Sequence, residues 1–193
     1  MLQRGFKSWS ENIAIRYREE LDLQKLDPLD AMVLAAHLQI PLITPDAIDN
    51  LSSSAKNILL HEDPDSWSAV TLHKNGKHFI IYNSSNAPSR RSNDIMHELS
   101  HIIIGHKPQK DFHSPELNVI IRDYNSEQED EANCLASTLL LPKDALLNIK
   151  FKHISDDVAA KKYCVSKTLL KMRLNLSGVN YIHQRASKKY HNE

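Results

Sequence analysis

The sequence predicts a mainly helical α+β domain in which a small β-hairpin lies beside one amphipathic helix. Three observations predict it. Apolar residues recur at helical spacing in most segments, a single alternating apolar pair flanks an Asn-Gly turn, and residues 97–101 read His-Glu-Leu-Ser-His inside a helical pattern. At 193 residues with 41% hydrophobic content, the chain can bury one real core.

The elements follow in order. Ser10 can cap a first helix that places Ile13, Ala14, Tyr17 and Leu21 on one face. Asp27-Pro28 offers an N-cap and a first-turn proline to a second helix with Leu29, Met32, Val33 and Ala36 as its apolar stripe, ending before Pro41. Residues 44–66, with Pro45, Ser52-Ser53-Ser54 and Pro64, have room for one short helix. The hairpin pairs residues 69–72 with 78–82 through Asn75-Gly76, the dipeptide favoured in a type I′ turn.

Ser92 or Asn93 can start the next helix, and Gly105 ends it. Ile95, Leu99, Ile102 and Ile103 form its apolar stripe, while His97 and His101 point towards a cleft. Residues 106–125, interrupted by Pro108 and Pro115, read as a loop with a short strand at 117–121. A strong helix runs from Ser126 to Leu141, stopped by Pro142, and residues 154–176 hold two short helices separated by Cys164-Val165-Ser166. The expected organisation is a core of residues 1–142 and a helical extension, 143–193, packed on the same domain.

Composition excludes several classes. Two cysteines without a CxxC pair suggest neither a disulfide framework nor a thiolate metal site, as in a reducing cytoplasm. The charged N-terminus and the lack of eighteen consecutive apolar residues argue against secretion and membrane insertion. Net charge is zero, but residues 143–193 carry 11 Lys+Arg against 4 Asp+Glu. Such a tail can meet nucleic acid or an acidic partner, although a solvated surface is the simpler reading.

The chemistry sits in the HExxH string. Helical spacing stacks His97 and His101 on one face, so both imidazoles reach one ion with Glu98 beside them. A catalytic zinc site needs a third protein ligand and leaves one position for water. The HExxHxxGxxH frame is excluded, because Ile104 and Lys107 stand where glycine and the last histidine belong. A carboxylate on a separate helix remains, and residues 127–131 offer Glu127, Glu129 and Glu131. Glu129 shares a face with Asn133, Ala136 and Leu140, which favours it, with Glu131 second. Asn133 can hold the far ring nitrogen of a ligand histidine.

These residues resemble those of the ImmA/IrrE metallopeptidases. The resemblance is carried by Tyr82-Asn83-Ser84, Arg91, the run from Ile95 to His101, Glu129-x-Glu131-Ala132-Asn133 and Leu139-Leu140-Leu141-Pro142, and covers at least residues 10–142. It implies a minimal zincin-like fold in which His97, His101 and Glu129 bind Zn2+. Ser100 replaces the usual glycine and Leu135 a common aromatic. The implied activity is a zinc endopeptidase. Its partner would be a helix-turn-helix transcriptional repressor whose cleavage derepresses stress, phage or mobile-element genes.

Glu98 would act as general base. The donor that polarises the substrate carbonyl is open among His106, His113, Tyr82 and Tyr124. Residues 78–83, with Tyr82 and Asn83, would serve as an edge strand to which an extended substrate adds. The rival reading comes from Ala160-Lys161-Lys162-Tyr163-Cys164-Val165-Ser166, which resembles a helix-turn-helix turn with Lys167, Lys171 and Arg173 on the next helix. On that reading the chain is a non-catalytic repressor-binding or DNA-binding regulator with a zinc-stabilised domain.

Overall fold

A computed structural model describes residues 2–48, 51–62, 66–74, 76–107, 110–114 and 119–190. It is α+β, with helices packed on a five-stranded sheet. Helix α1, Phe6–Glu20, starts four residues before the predicted cap because Gly5 takes the left-handed conformation. Ser10 is instead buried within the helix, where its hydroxyl donates to Phe6 O at 2.9 Å. Helix α2, Ala31–His37, is capped by Asp30 and not by Asp27: Asp30 Oδ1 accepts from the amides of Met32 and Val33 at 2.7 and 3.1 Å. Asp27 closes the preceding turn through Gln24 N. This start turns the apolar stripe, so Ala31, Leu34 and Ala35 join Leu29 in the core, whereas Met32 and Val33 are 42% and 50% exposed.

One strand that the sequence reading lacked, and the short helix that it expected, precede the hairpin. Strand β1, Leu42–Ile43, runs parallel to β3, Lys77–Tyr82. Helix α3, Ser53–Asn57, widens into a π turn at Ile58–Glu62, in the place where one short helix was expected. Strand β2, Ala69–Lys74, pairs antiparallel with β3, Lys74 opposite Lys77. Gly76 in the turn has φ 76°, as the predicted turn demands; Asn75, like Pro64, Pro108 and Pro115, lies outside the described residues.

Helix α4, Pro88–Ile104, begins four residues ahead of Ser92, because Pro88 occupies the first helical position that its fixed φ suits. Gly105, at φ 80°, ends it as expected, its amide bonding back to His101 O and Ile102 O. Ile95, Met96 and Leu99 are fully buried, while Ile102 and Ile103 are half-buried. After it come two strands where one was expected: β4, Lys110–Ser114, and β5, Val119–Asp123, antiparallel to each other. The predicted strand's first residues, 117 and 118, lie outside the described set. The sheet order is β1-β3-β2-β5-β4. Ile80 and Ile81 are therefore paired on both sides, and the expected edge at 78–83 is covered at its centre.

Helix α5, Ser126–Leu140, opens on a capping box between Asn125 and Gln128. Helices α6, Lys143–Phe151, α7, Asp156–Lys162, α8, Lys167–Leu176, and α9, Val179–Tyr190, follow. The break between α7 and α8 falls at the predicted Cys164-Val165-Ser166, with Cys164 at φ 50° and Ser166 capping α8. Leu146, Ile149, Leu170, Leu174 and Val179 belong to the same buried cluster as Ile95, Leu99, Leu135 and Leu139. No described helix is long and apolar enough to cross a membrane.

Two buried arginines fasten this core to the end of α5. Arg18 donates to Leu139 O, Ala14 O and Asp27 O at 2.9–3.0 Å. Arg173 donates twice to Leu141 O, at 2.9 and 3.1 Å, and reaches Glu11 at 2.9 Å. Arg173 is thus withdrawn from the cations that the helix-turn-helix reading named, since a buried guanidinium cannot contact phosphate, while Lys167 and Lys171 are exposed. Removing Arg173 takes two donors from the Leu141 carbonyl and leaves the part-buried Glu11 carboxylate without its cation, held by the Lys143 amide at 2.9 Å. Arg173→Ala is expected to lower unfolding stability by about 3 kcal/mol in chemical denaturation, whereas exposed Lys171→Ala should change it by no more than about 0.5 kcal/mol.

Candidate functional site

Helices α4 and α5 pack side by side and bring three ligand-type side chains together. His97 Nε2 and His101 Nε2 are 3.1 Å apart, and the Glu129 carboxylate lies 3.2 Å from the first and 3.3 Å from the second. Among the described residues these form the one group of three or more side chains able to hold a metal ion. The separations fit that use. A tetrahedral ion with bonds of about 2.0–2.1 Å spaces its donors about 3.3 Å apart, leaving a fourth vertex open.

Each imidazole is fixed from behind. His97 Nδ1–H donates to Asn133 Oδ1 at 3.1 Å, so its Nε2 lone pair faces Glu129. His101 is only 1% exposed, which corrects the expectation that both histidines face an open cleft. The ring of Tyr124, directly after β5, stacks on it at 3.8 Å and 17°. On its other nitrogen, His101 Nδ1 meets His106 Nδ1 at 2.9 Å. Burial, with help from His97 and His106, pushes the His101 pKa down to about 3. It is neutral at physiological pH, the form a metal ligand requires.

Glu98 lies beside the triad. Thr71 Oγ1, from the inward face of β2, donates to Glu98 Oε2 at 2.5 Å. Loss of solvent raises the Glu98 pKa, and the Thr71 hydroxyl partly opposes the shift. Sequence reasoning missed Thr71, because nothing in residues 69–72 tells which strand face meets α4. A cavity of about 290 Å³ is lined in part by Asn133, Cys134, Met172 and Leu176.

Of the other sequence candidates, Tyr124 and His106 contact His101. Glu131 points to the far side of α5's contact with α4 and pairs with His106 at 3.1 Å. Asn83 is 1% exposed, and its amide serves Trp67 O and Ser85, so it has no surface to offer a substrate. Tyr82, at the end of interior strand β3, packs against the core. Position 113 lies in β4 opposite Ile120; the side chain of His113 lies outside the described residues. Both departures from the family pattern are absorbed: Ser100 donates to Met96 O at 2.7 Å, and Leu135 is fully buried.

The His101 shift predicts the acid behaviour of the metal-free protein. Its folded pKa lies below its ordinary 6.5, so the unfolded chain binds more protons between the two values. Its contribution to stability is complete above about pH 6.5 and is lost as pH falls towards about 3. Melting temperatures of metal-free protein from pH 7.5 to 4 should therefore drop, and His101→Gln should flatten the curve.

Comparison with known proteins agrees with this geometry. No curated protein matches the chain. Among solved structures, a Mycobacterium tuberculosis transcriptional regulator superposes with a TM-score of 0.50 at 15% identity. The match covers 88% of this chain and 46% of that one, so the chain spans about half of that protein's length, and at such identity the likeness concerns fold alone. The IrrE N-terminal-like domain, Peptidase_M78, matches residues 53–175, from the start of α3 almost to the end of α8 and across every residue of the triad. With well over half of its length matched, the chain belongs to the Peptidase_M78 family of IrrE N-terminal-like domains.

Proposed function

We propose that this protein is a cytoplasmic zinc endopeptidase that cuts a helix-turn-helix transcriptional repressor. The observation that carries the hydrolytic reading is the position of Glu98. It is a partly desolvated carboxylate, held by Thr71, immediately beside three converging ligands with an open fourth vertex. Two imidazoles and one carboxylate are a donor set suited to zinc. Zinc, when bound, supplies Lewis acidity that acidifies a water and polarises the scissile carbonyl.

The chain's own residues do the rest. Asn133 keeps His97 in the ligating tautomer, and Tyr124 keeps the His101 ring from turning. Glu98 takes a proton from the water as its oxygen attacks the carbonyl carbon. It then gives that proton to the departing amide nitrogen, so the C–N bond breaks into a carboxylic acid and an amine, which settle as carboxylate and ammonium. The raised Glu98 pKa narrows the gap between the base and the water it serves.

The substrate would be read as extended backbone. In the sheet order, β4 is the outer strand next to β5, and Lys110 pairs with Asp123, the residue before Tyr124. Among the described strands β4 ends the sheet, so its outer edge is the position at which an extended peptide could add. A repressor as substrate rests on the family resemblance, and the regulator reading is the one competitor. It draws on a fold neighbour titled a transcriptional regulator and on the basic C-terminal helices.

Incubation of zinc-loaded protein with candidate helix-turn-helix repressors, read by intact mass, tests this. One defined cut is expected from wild type and none from Glu98→Gln, whose rate should fall by about 10²–10⁴-fold while zinc binding persists. A cut made equally well by Glu98→Gln, or a repressor bound by both proteins and cut by neither, would contradict the enzyme reading. Thr71→Val should lower kcat about tenfold. It should also move the acid limb of the rate profile to higher pH, because the lost hydroxyl favoured ionised Glu98.

A further inference from the structure

His106 follows Gly105, whose left-handed turn folds the chain back so that His106 N donates to His101 O at 3.1 Å. The ring that results is almost wholly buried, 6% exposed, between His101 and α5. Its Nδ1 lies 2.9 Å from His101 Nδ1, and its Nε2 lies 3.1 Å from the Glu131 carboxylate. Glu131, two residues after Glu129, is itself mostly buried. The two glutamates leave α5 on different sides yet both end on the imidazoles of α4 and its turn. Glu129 faces the Nε2 atoms in front, and Glu131 supports the ring behind.

Valence then fixes every proton in this chain. Two Nδ1 atoms at 2.9 Å form a hydrogen bond only when one carries the hydrogen and the other a lone pair. If His101 is to offer its Nε2 lone pair towards His97 and Glu129, its proton must sit on Nδ1. His106 Nδ1 must then accept, which forces the His106 proton onto Nε2, where Glu131 accepts it. Along Glu131, His106 and His101 every donor then meets an acceptor, and the acceptors left facing one another are His97 Nε2, His101 Nε2 and the Glu129 carboxylate, the set that a cation would join.

We propose that His106 and Glu131 form a two-step relay that positions His101, fixing its ring and its ligating tautomer through a buried carboxylate, and that His106 is therefore a positioning residue and not a donor to the substrate. The inference rests on the reading of His97, His101 and Glu129 as metal ligands. His97 is supported by one neutral amide, Asn133, at a solvent-facing position, whereas His101 is backed by a chain ending in a carboxylate. Such a chain polarises towards the ligand nitrogen and increases its electron donation. The sequence left His106 as one of four open candidates for a donor to the substrate carbonyl; its burial behind His101 favours the supporting role instead.

The test uses full-length protein and zinc itself. Zinc affinity is measured by competition with a chromogenic chelator for wild type, His106→Ala and Glu131→Gln, with melting of the metal-free forms as the control for folding. Wild type should bind one zinc. Affinity should fall roughly 10- to 100-fold in His106→Ala and roughly tenfold in Glu131→Gln. Glu131→Gln keeps the shape of the site and carries the test alone if His106→Ala does not fold. Long-range ¹H–¹⁵N spectra of the zinc-loaded wild type should show His101 protonated at Nδ1 and His106 at Nε2.

Unchanged affinity in both variants, or a His106 proton on Nδ1, would overturn the relay and leave the metal centre standing. Loss of cleavage by His106→Ala at unchanged zinc affinity would also overturn it and return His106 to a donor's role. A wild-type protein that binds no zinc would overturn the metal centre and the relay together.

Discussion

The register between α4 and α5 is the constraint on which the site depends. Two histidines one turn apart on α4 are useful only if α5 is held so that Glu129 meets both Nε2 atoms and Asn133 meets His97 Nδ1. A slide of one residue along a helix is 1.5 Å, enough to break each of these contacts of about 3 Å. Three devices set the register. Ile95, Met96 and Leu99 of α4 and Leu135, Ala136 and Leu139 of α5 belong to one buried apolar cluster. The Asn125–Gln128 capping box fixes where α5 begins, and Arg18 and Arg173 bind the carbonyls where it ends. The basic C-terminal helices are thus structural in part, because α8 delivers Arg173 to that anchor point.

The sheet supplies the other half of the arrangement. A strand exposes alternate side chains, so β2 can bury Leu72 on one face while Thr71 reaches Glu98 on the other. The helix by itself would hold Glu98 only at its backbone. Thr71 fixes the carboxylate's far end, and Tyr124, arriving from β5, fixes His101. Base and ligand are thus each held by a residue of neighbouring strands or their ends, which keeps their separation constant as a substrate arrives.

Much of this was legible in the sequence because it depends on local spacing. His97 and His101 at four residues, Gly105 as a terminator, Glu129 in phase with Asn133 and the break at Cys164 all follow from helical period and backbone preference. What was not legible depends on partners distant in the chain. Asp27 and Asp30 are equally good caps on paper, and the choice of Asp30 rotates Met32 and Val33 out of the core. Strand β4, Lys-Asp-Phe-His-Ser, lacks the apolar alternation of a buried strand, so its pairing with β5 has no local signal. Two-residue β1 makes the difference between an edge and an interior position for β3. Arg173 reads as a solvent-facing cation until Leu141 and Glu11 are beside it, and His106 reads as one more histidine until Gly105 turns it behind His101.

The claim that these contacts exist to hold a metal is tested most directly by anomalous diffraction at the zinc edge from crystals of the zinc-loaded protein. The account predicts one strong peak bonded to His97 Nε2, His101 Nε2 and a Glu129 carboxylate oxygen, with the fourth position facing Glu98. A peak elsewhere, or none at this triad at full zinc loading, would contradict it.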